Sequence, residues 1–126
     1  MARAVGFGGV FLKARDPQAL VAWYAKHLGI AQQDGGTLGF DGPESLGMTV
    51  FAHFPTDTKY FGVGSQQSMV NVRVDDLEKL LLQLAADGVS IDPKRDDAPY
   101  GKFAWIEDPE GNRIELWEPR SRPAAA

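Results

Sequence analysis

Residues 10–30, VFLKARDPQALVAWYAKHLGI, and residues 70–91, VNVRVDDLEKLLLQLAADGVSI, share one grammar: alternating strand, aspartate, helix, glycine, second strand. In the first run Val10, Leu12 and Ala14 alternate with Phe11 and Lys13, the period of a strand with one buried face. Asp16 is placed to cap a helix with Pro17 in its first turn, where the missing N–H costs nothing. In the second run Val70, Val72 and Val74 alternate with Asn71 and Arg73. Asp75, with Glu78 three residues on, reads as a capping box with Asp in place of Ser or Thr. The spacing predicts apolar helix stripes at Leu20, Trp23, Tyr24 and Leu28, and at Leu77, Leu80, Leu81 and Leu84, each stopping near a glycine, Gly29 or Gly88. Val10 and Val70 are sixty residues apart (70 − 10), nearly half of the 126-residue chain, so the economical reading is one module written twice.

Working outward, the text after each helix becomes strands and turns. Strands are predicted at Ala31–Gln33, Thr37–Phe40 and Met48–Phe54, then at Val89–Asp92, Lys102–Glu107 and Asn112–Trp117. Asp34-Gly35-Gly36 and Asp108-Pro109-Glu110-Gly111-Asn112 have hairpin-loop chemistry, Gly111 supplying a positive φ. Each half therefore reads βαβββ within a single domain spanning 1–126: a first module at 5–54, a connector at 55–67, a second module at 68–118 and a loose tail at 119–126.

Thirteen Lys+Arg against seventeen Asp+Glu give a net charge of −4, so the basic footprint of a nucleic-acid binder is missing. With no cysteine there is neither a thiolate nucleophile nor a Cys-built metal site. No stretch approaches the ~18 continuous apolar residues of a membrane span. The opening apolar run is broken by Gly6, Gly8 and Gly9 and ends at Lys13, unlike a secretory signal. The expectation is a cytoplasmic protein with neither nucleic-acid nor membrane partners.

The run from Gly9 to Ile30 and the run WIEDPEGNRIELW from Trp105 to Trp117 resemble the first module and the last hairpin of the vicinal oxygen chelate family, which includes glyoxalase I, extradiol dioxygenases and bleomycin-resistance proteins. The resemblance covers residues 5–118 and includes the duplication. It implies an α+β fold in which two βαβββ modules form a curved, incompletely closed mixed sheet around a central cavity. Periodicity then sorts the faces: if Val10, Leu12, Val70, Val72, Ile114 and Leu116 face the helices, Gly9, Phe11, Lys13, Met69, Asn71, Arg73, Arg113, Glu115 and Trp117 face the other way.

Metal-dependent members of that family place four ligands, typically His or Glu, on the first, fourth, fifth and eighth strands. Such a site needs several N or O donors converging at about 2.0–2.2 Å, with positions left open for substrate. The resemblance carries these positions onto Gly9, Met69 and Glu115, while the fourth falls on Ala52 or, one residue along, on His53. Either register leaves too few donors, so no metal and no cofactor are expected.

A small-molecule ligand is expected, partly aromatic or anionic, lined by Phe11, Lys13, His53, Met69, Asn71, Arg73, Trp105 and Trp117, with the glycine at position 9 making room. Glu115 is the candidate catalytic residue, and the alternative function is a glyoxalase-type lyase or isomerase using it as general base with a weak or unusual metal site or a cationic side chain. The plainer readings are an ion pair between Glu115 and Arg113 or Arg73, a solvated strand-end cluster of Lys13, Asn71 and Arg73, and a strand-end His53. His27 reads as a helix-end residue, and Gly6-Phe7-Gly8-Gly9 lacks the Lys-Ser/Thr of a phosphate loop. The family resemblance also implies a homodimer, with Trp23, Tyr60 and Phe61 as candidate contact residues.

Overall fold

The computed structural model describes residues 1–33, 36–40, 49–62 and 64–120. The predicted loop residues Asp34 and Gly35, the start of the strand expected at Met48, and the tail beyond Arg120 lie outside them. The elements run β1 (Ala4–Ala14), α1 (Pro17–Leu28), β2 (Ala31–Gln32), β3 (Leu38–Phe40), β4 (Thr49–Pro55), β5 (Ser68–Val74), α2 (Leu77–Ala86), β6 (Ile91–Ala98), β7 (Gly101–Glu107) and β8 (Arg113–Pro119). Among the described residues this is βαβββ twice over, an α+β protein with two helices and a mixed eight-stranded sheet.

Two compact units emerge, Phe7–Asn71 and Met1–Gly6 together with Val72–Ala126. Their boundaries differ from the sequence modules, because the first six residues belong with the second half. The Ala2 N–H donates to Gln83 Oε1 at 2.9 Å and the Arg3 N–H to Asp75 Oδ1 at 2.8 Å.

In the unit Phe7–Asn71 the strands lie in the order β2-β3-β4-β1, with β1 and β4 parallel and the other pairs antiparallel. Asp16 caps α1 as expected, its Oδ1 accepting from the Ala19 N–H at 3.1 Å, and Gly29 ends the helix in the left-handed region at φ 65°. The stripe that α1 buries differs from the predicted one. Val21 packs with Ile30 and Leu38, flanked by Tyr24, Ala25 and Phe51, whereas Trp23 and Leu28 are exposed. The buried face thus runs through Val21, Tyr24 and Ala25, one turn of the helix.

In the other unit the order is β5-β8-β7-β6. Leu77 and Leu81 of α2 pack on Val74, Ala104 and Leu116, with Leu80 and Leu84 half-buried beside them, as the stripe predicted. The cap differs by one residue: Asp76, not Asp75, precedes the helix and accepts from the Lys79 N–H at 3.1 Å. Asp75 instead holds the Arg3 N–H, which draws its carboxyl below the usual range. Glu78 turns outward to pair with Arg95. β6 continues to Ala98, well past the predicted end at Asp92, with an irregularity between Ile91 and Arg95. As the last strand in the order it tolerates Pro93 and a run of charges, which is why its sequence does not read as strand. β8 likewise runs on to Pro119, and Arg120 is fastened by an Nε–H bond to the Ala98 carbonyl at 2.9 Å, so the described part of the expected tail is attached.

Candidate functional site

The β7–β8 hairpin carries the candidate residues Trp105, Glu115 and Trp117. In its register Trp105 stands opposite Glu115 and Phe103 opposite Trp117. Ile114 and Leu116 turn toward α2, so the alternate positions Arg113, Glu115 and Trp117 occupy the other face. Trp105 and Glu115 are each 1% exposed, and the indole Nε1–H donates to Glu115 Oε2 at 3.0 Å. A buried carboxylate needs such a donor, since desolvation without one is costly.

Trp117 is fixed in the same manner: its Nε1–H donates to the Tyr100 carbonyl at 3.0 Å, and its ring lies parallel to Phe103 with centroids 6.0 Å apart. Gly101 makes this possible, because a Cβ there would sit 2.4 Å from the Trp117 Nε1. Cations line the aromatic wall. The Arg73 guanidinium lies 6.0 Å from the Trp117 ring, and the Arg113 guanidinium and Lys94 ammonium lie 5.4 and 5.3 Å from the Trp105 ring. Arg113 also pairs with Asp92 at 2.7 Å. The Lys94 backbone N–H and then Arg113 hold the Asp92 carboxyl below its ordinary range.

In the unit Phe7–Asn71, Phe11 is buried against Phe54 and Tyr60, at 5.6 and 6.1 Å between centroids, and Lys13 Nζ stands 5.7 Å from the Phe61 ring. Met69 and Asn71 are both buried, so Asn71 is not a solvated strand-end group. Phe11 pairs with Ala52 in the parallel register, while His53 stacks on Tyr24 of α1 at 5.5 Å and lies 4.5 Å from Phe51. The two registers left open by the sequence thus resolve with His53 on the α1 side, away from Phe11. Its ring nitrogens are buried and have no hydrogen-bond partner among the described residues, and burial pushes its pKa below the ordinary value.

Gly9 does not leave space for a ligand. A Cβ there would lie 2.1 Å from the Val50 carbonyl oxygen, so glycine is required by the close approach of β1 to β4. Sequence reasoning missed Phe54, Tyr60, Phe103, Asp92 and Lys94. Only Phe54 and Phe103 had a readable signal, the period of their strands.

The four-ligand set of metal-dependent relatives is not met by these residues. Gly9 and Ala52 bring no donor and Met69 only a soft thioether, which leaves the Glu115 carboxylate alone. Among the described residues no group of three or more His, Cys, Asp or Glu converges.

The class is that of proteins built from duplicated βαβββ units. The sequence profile of the Glyoxalase/Bleomycin resistance protein/Dioxygenase superfamily matches residues 6–116, and the chain belongs to that superfamily. Among solved structures it is similar to methylmalonyl-CoA epimerase from Mycobacterium tuberculosis, at 22% identity and a TM-score of 0.69 over 98% of this chain and 93% of that one. It is also similar to Streptomyces coelicolor methylmalonyl-CoA epimerase in complex with 2-nitronate-propionyl-CoA, at 12% identity and a TM-score of 0.72 over 94% of this chain and 100% of that one. A third likeness is the Mn(II)-bound glyoxalase from Novosphingobium aromaticivorans, at 16% identity and a TM-score of 0.66 over 98% of this chain and 44% of that one. No curated protein matches the sequence. No helix among the described residues is long and apolar enough to cross a membrane.

Proposed function

We propose that this chain binds a small, partly aromatic or anionic molecule at the strand face carrying Trp105, Glu115 and Trp117, without a catalytic metal. The observation that carries the reading is the pair of anchored indoles with cations over their rings. Rigid aromatic walls bind planar groups at little entropic cost, and the guanidinium of Arg73 supplies charge for an anion. Phe11, Lys13, Met69 and Asn71 are proposed separately as ligand-binding residues of the unit Phe7–Asn71; His53, stacked on α1, is not. Calorimetry of the whole protein against a panel of aromatic acids and acyl thioesters tests it. Binding that weakens when Trp117 is replaced by Leu and is indifferent to chelators is expected. Tight stoichiometric binding of nickel, zinc or manganese overturns the metal-free part.

The engaged Glu115 favours a second reading, a lyase or isomerase. Its carboxylate would take a proton from carbon next to a carbonyl, the electron pair moving to the carbonyl oxygen and the proton returning in the reverse step. The acyl-CoA ligand of the Streptomyces epimerase makes a branched acyl thioester the substrate to try beside a hemithioacetal. Turnover that vanishes in Glu115→Gln while binding persists supports this reading, and inactivity of the wild type on both removes it.

A homodimer is also proposed. Tyr60 stays a candidate contact, whereas Phe61, 1% exposed against Phe54, does not, and Trp23 lines the cavity described below. Sedimentation reports the state.

A further inference from the structure

We propose a second ligand site in the unit Phe7–Asn71, where an open cavity of about 950 Å³ lies between the end of β1 and the first turns of α1. Of its lining only Lys13 is shared with the ligand-binding residues proposed above, and Lys13 is assigned no contact with the ligand of this site. Its size is that of small-molecule pockets, and its lining divides into two chemistries.

The apolar side is Ala14, Leu20, Trp23 and Tyr24. Trp23 is 50% exposed although it sits mid-helix, with Tyr24 edge-on at 5.2 Å and His27 at 4.9 Å on its flanks. These neighbours fix the indole while leaving much of its surface uncovered. No acceptor among the described residues takes its N–H.

The polar side is Lys13, Arg15, Asp16, Thr56 and Gln67, the Gln67 amide donating to the Ser65 carbonyl. Besides Arg15, two of these are charged: Asp16, whose Oδ1 accepts from the Ala19 N–H, and Lys13, whose ammonium stands against Phe61, so two cations face one carboxylate. Arg15 has no ion pair or hydrogen bond among the described residues, so its guanidinium is an unspent cation in a chain of net charge −4. A fixed, uncovered indole beside a guanidinium is complementary to a planar aromatic or polycyclic body carrying a carboxylate or sulfonate. The occupant assigned to this cavity is a small aromatic anion of that type. The ring would lie on Trp23 and Leu20 and the anionic group on Arg15, with Thr56 as a supporting donor.

The three tryptophans of the chain give three indole N–H signals in a ¹⁵N–¹H correlation spectrum, one per environment. Titration of the whole protein with sodium 2-naphthoate reads all three together, the Trp23 signal being identified by its loss in Trp23→Phe. The expected result is a saturable movement of the Trp23 signal. Arg15→Gln, an exposed change that leaves the fold intact, should raise the dissociation constant on the order of tenfold. The neutral 2-naphthalenemethanol should bind more weakly than the carboxylate by a similar factor. A Trp23 signal that stays still at millimolar naphthoate overturns the proposal, as does equal binding by Arg15→Gln or by the neutral alcohol. Movement of only the Trp105 and Trp117 signals also overturns it, while supporting binding at the face proposed above, so the two ideas fail separately.

Discussion

The indole Nε1–H of Trp105 donates to Glu115 Oε2 across the β7–β8 register, and both side chains are 1% exposed. Each residue explains the other: a carboxylate at that depth requires a donor, and an indole N–H at that depth requires an acceptor. Trp105→Phe keeps an aromatic ring and removes the donor. It is expected to destabilise the fold by about 2 kcal/mol through the weakened solvation of the carboxylate. Urea unfolding measures this, and an unchanged midpoint would mean that the hydrogen bond contributes nothing in solution.

Gly9 supplies a harsher test. A methyl group at this position meets the Val50 carbonyl carbon at 2.8 Å as well as its oxygen at 2.1 Å, and backbone on a paired strand cannot swing aside as a side chain can. Gly9→Ala should therefore cost about 3 kcal/mol, by forcing β1 away from β4. Gly64→Ala, which meets nothing within 4 Å, is the control and should unfold at nearly the wild-type midpoint.

The contrast shows what can be read from residues alone. The βαβββ repeat was legible because Val70, Val72 and Val74 alternate and Leu77, Leu80, Leu81 and Leu84 recur at helical spacing, and both patterns survive into the core around Leu116. α1 was legible as a helix but not in its orientation. Trp23 and Leu28 look like core residues, yet the helix turns Val21 to the core and leaves them out. Glu115 and Trp117 followed from strand period, whereas the orientation of Trp105 was left open and the inward position of β4 hung on a one-residue choice that only strand pairing decides. Burial of Asn71 had no signal in its residue type, since an amide side chain is more often exposed.

The two helix starts sharpen the same point. Asp16 and Asp76 are sixty residues apart (76 − 16), the offset of the repeat, and both cap their helices, while Asp75 serves the chain terminus through the Arg3 N–H. Asp76→Ala is expected to cost about 1 kcal/mol and speed amide exchange in the first turn of α2. Asp75→Ala should leave that turn protected and release the Arg3 amide instead. Hydrogen exchange resolved by residue distinguishes the two, and fraying of α2 in both variants would reassign the cap.

His53 predicts a pH dependence whose direction is set by its surroundings. Its ring packs between Phe51 and Tyr24, its nitrogens have no partner among the described residues, and burial lowers its pKa from the ordinary 6.5. Below pH 6.5 the unfolded chain takes up a proton that the folded chain resists. This contribution to stability is therefore complete above that value and is lost as pH falls toward the lowered folded-state pKa. The carboxyl groups of Asp75, Glu78, Asp92 and Asp108 are also drawn down, from 3.8 or 4.5, and their losses begin only at lower pH, outside this window. Thermal unfolding followed from about pH 7.5 to about pH 5.5 should show the wild type losing stability relative to His53→Phe, with the difference growing as pH falls. Parallel curves for the two proteins would show that the imidazole is not held neutral between β4 and α1.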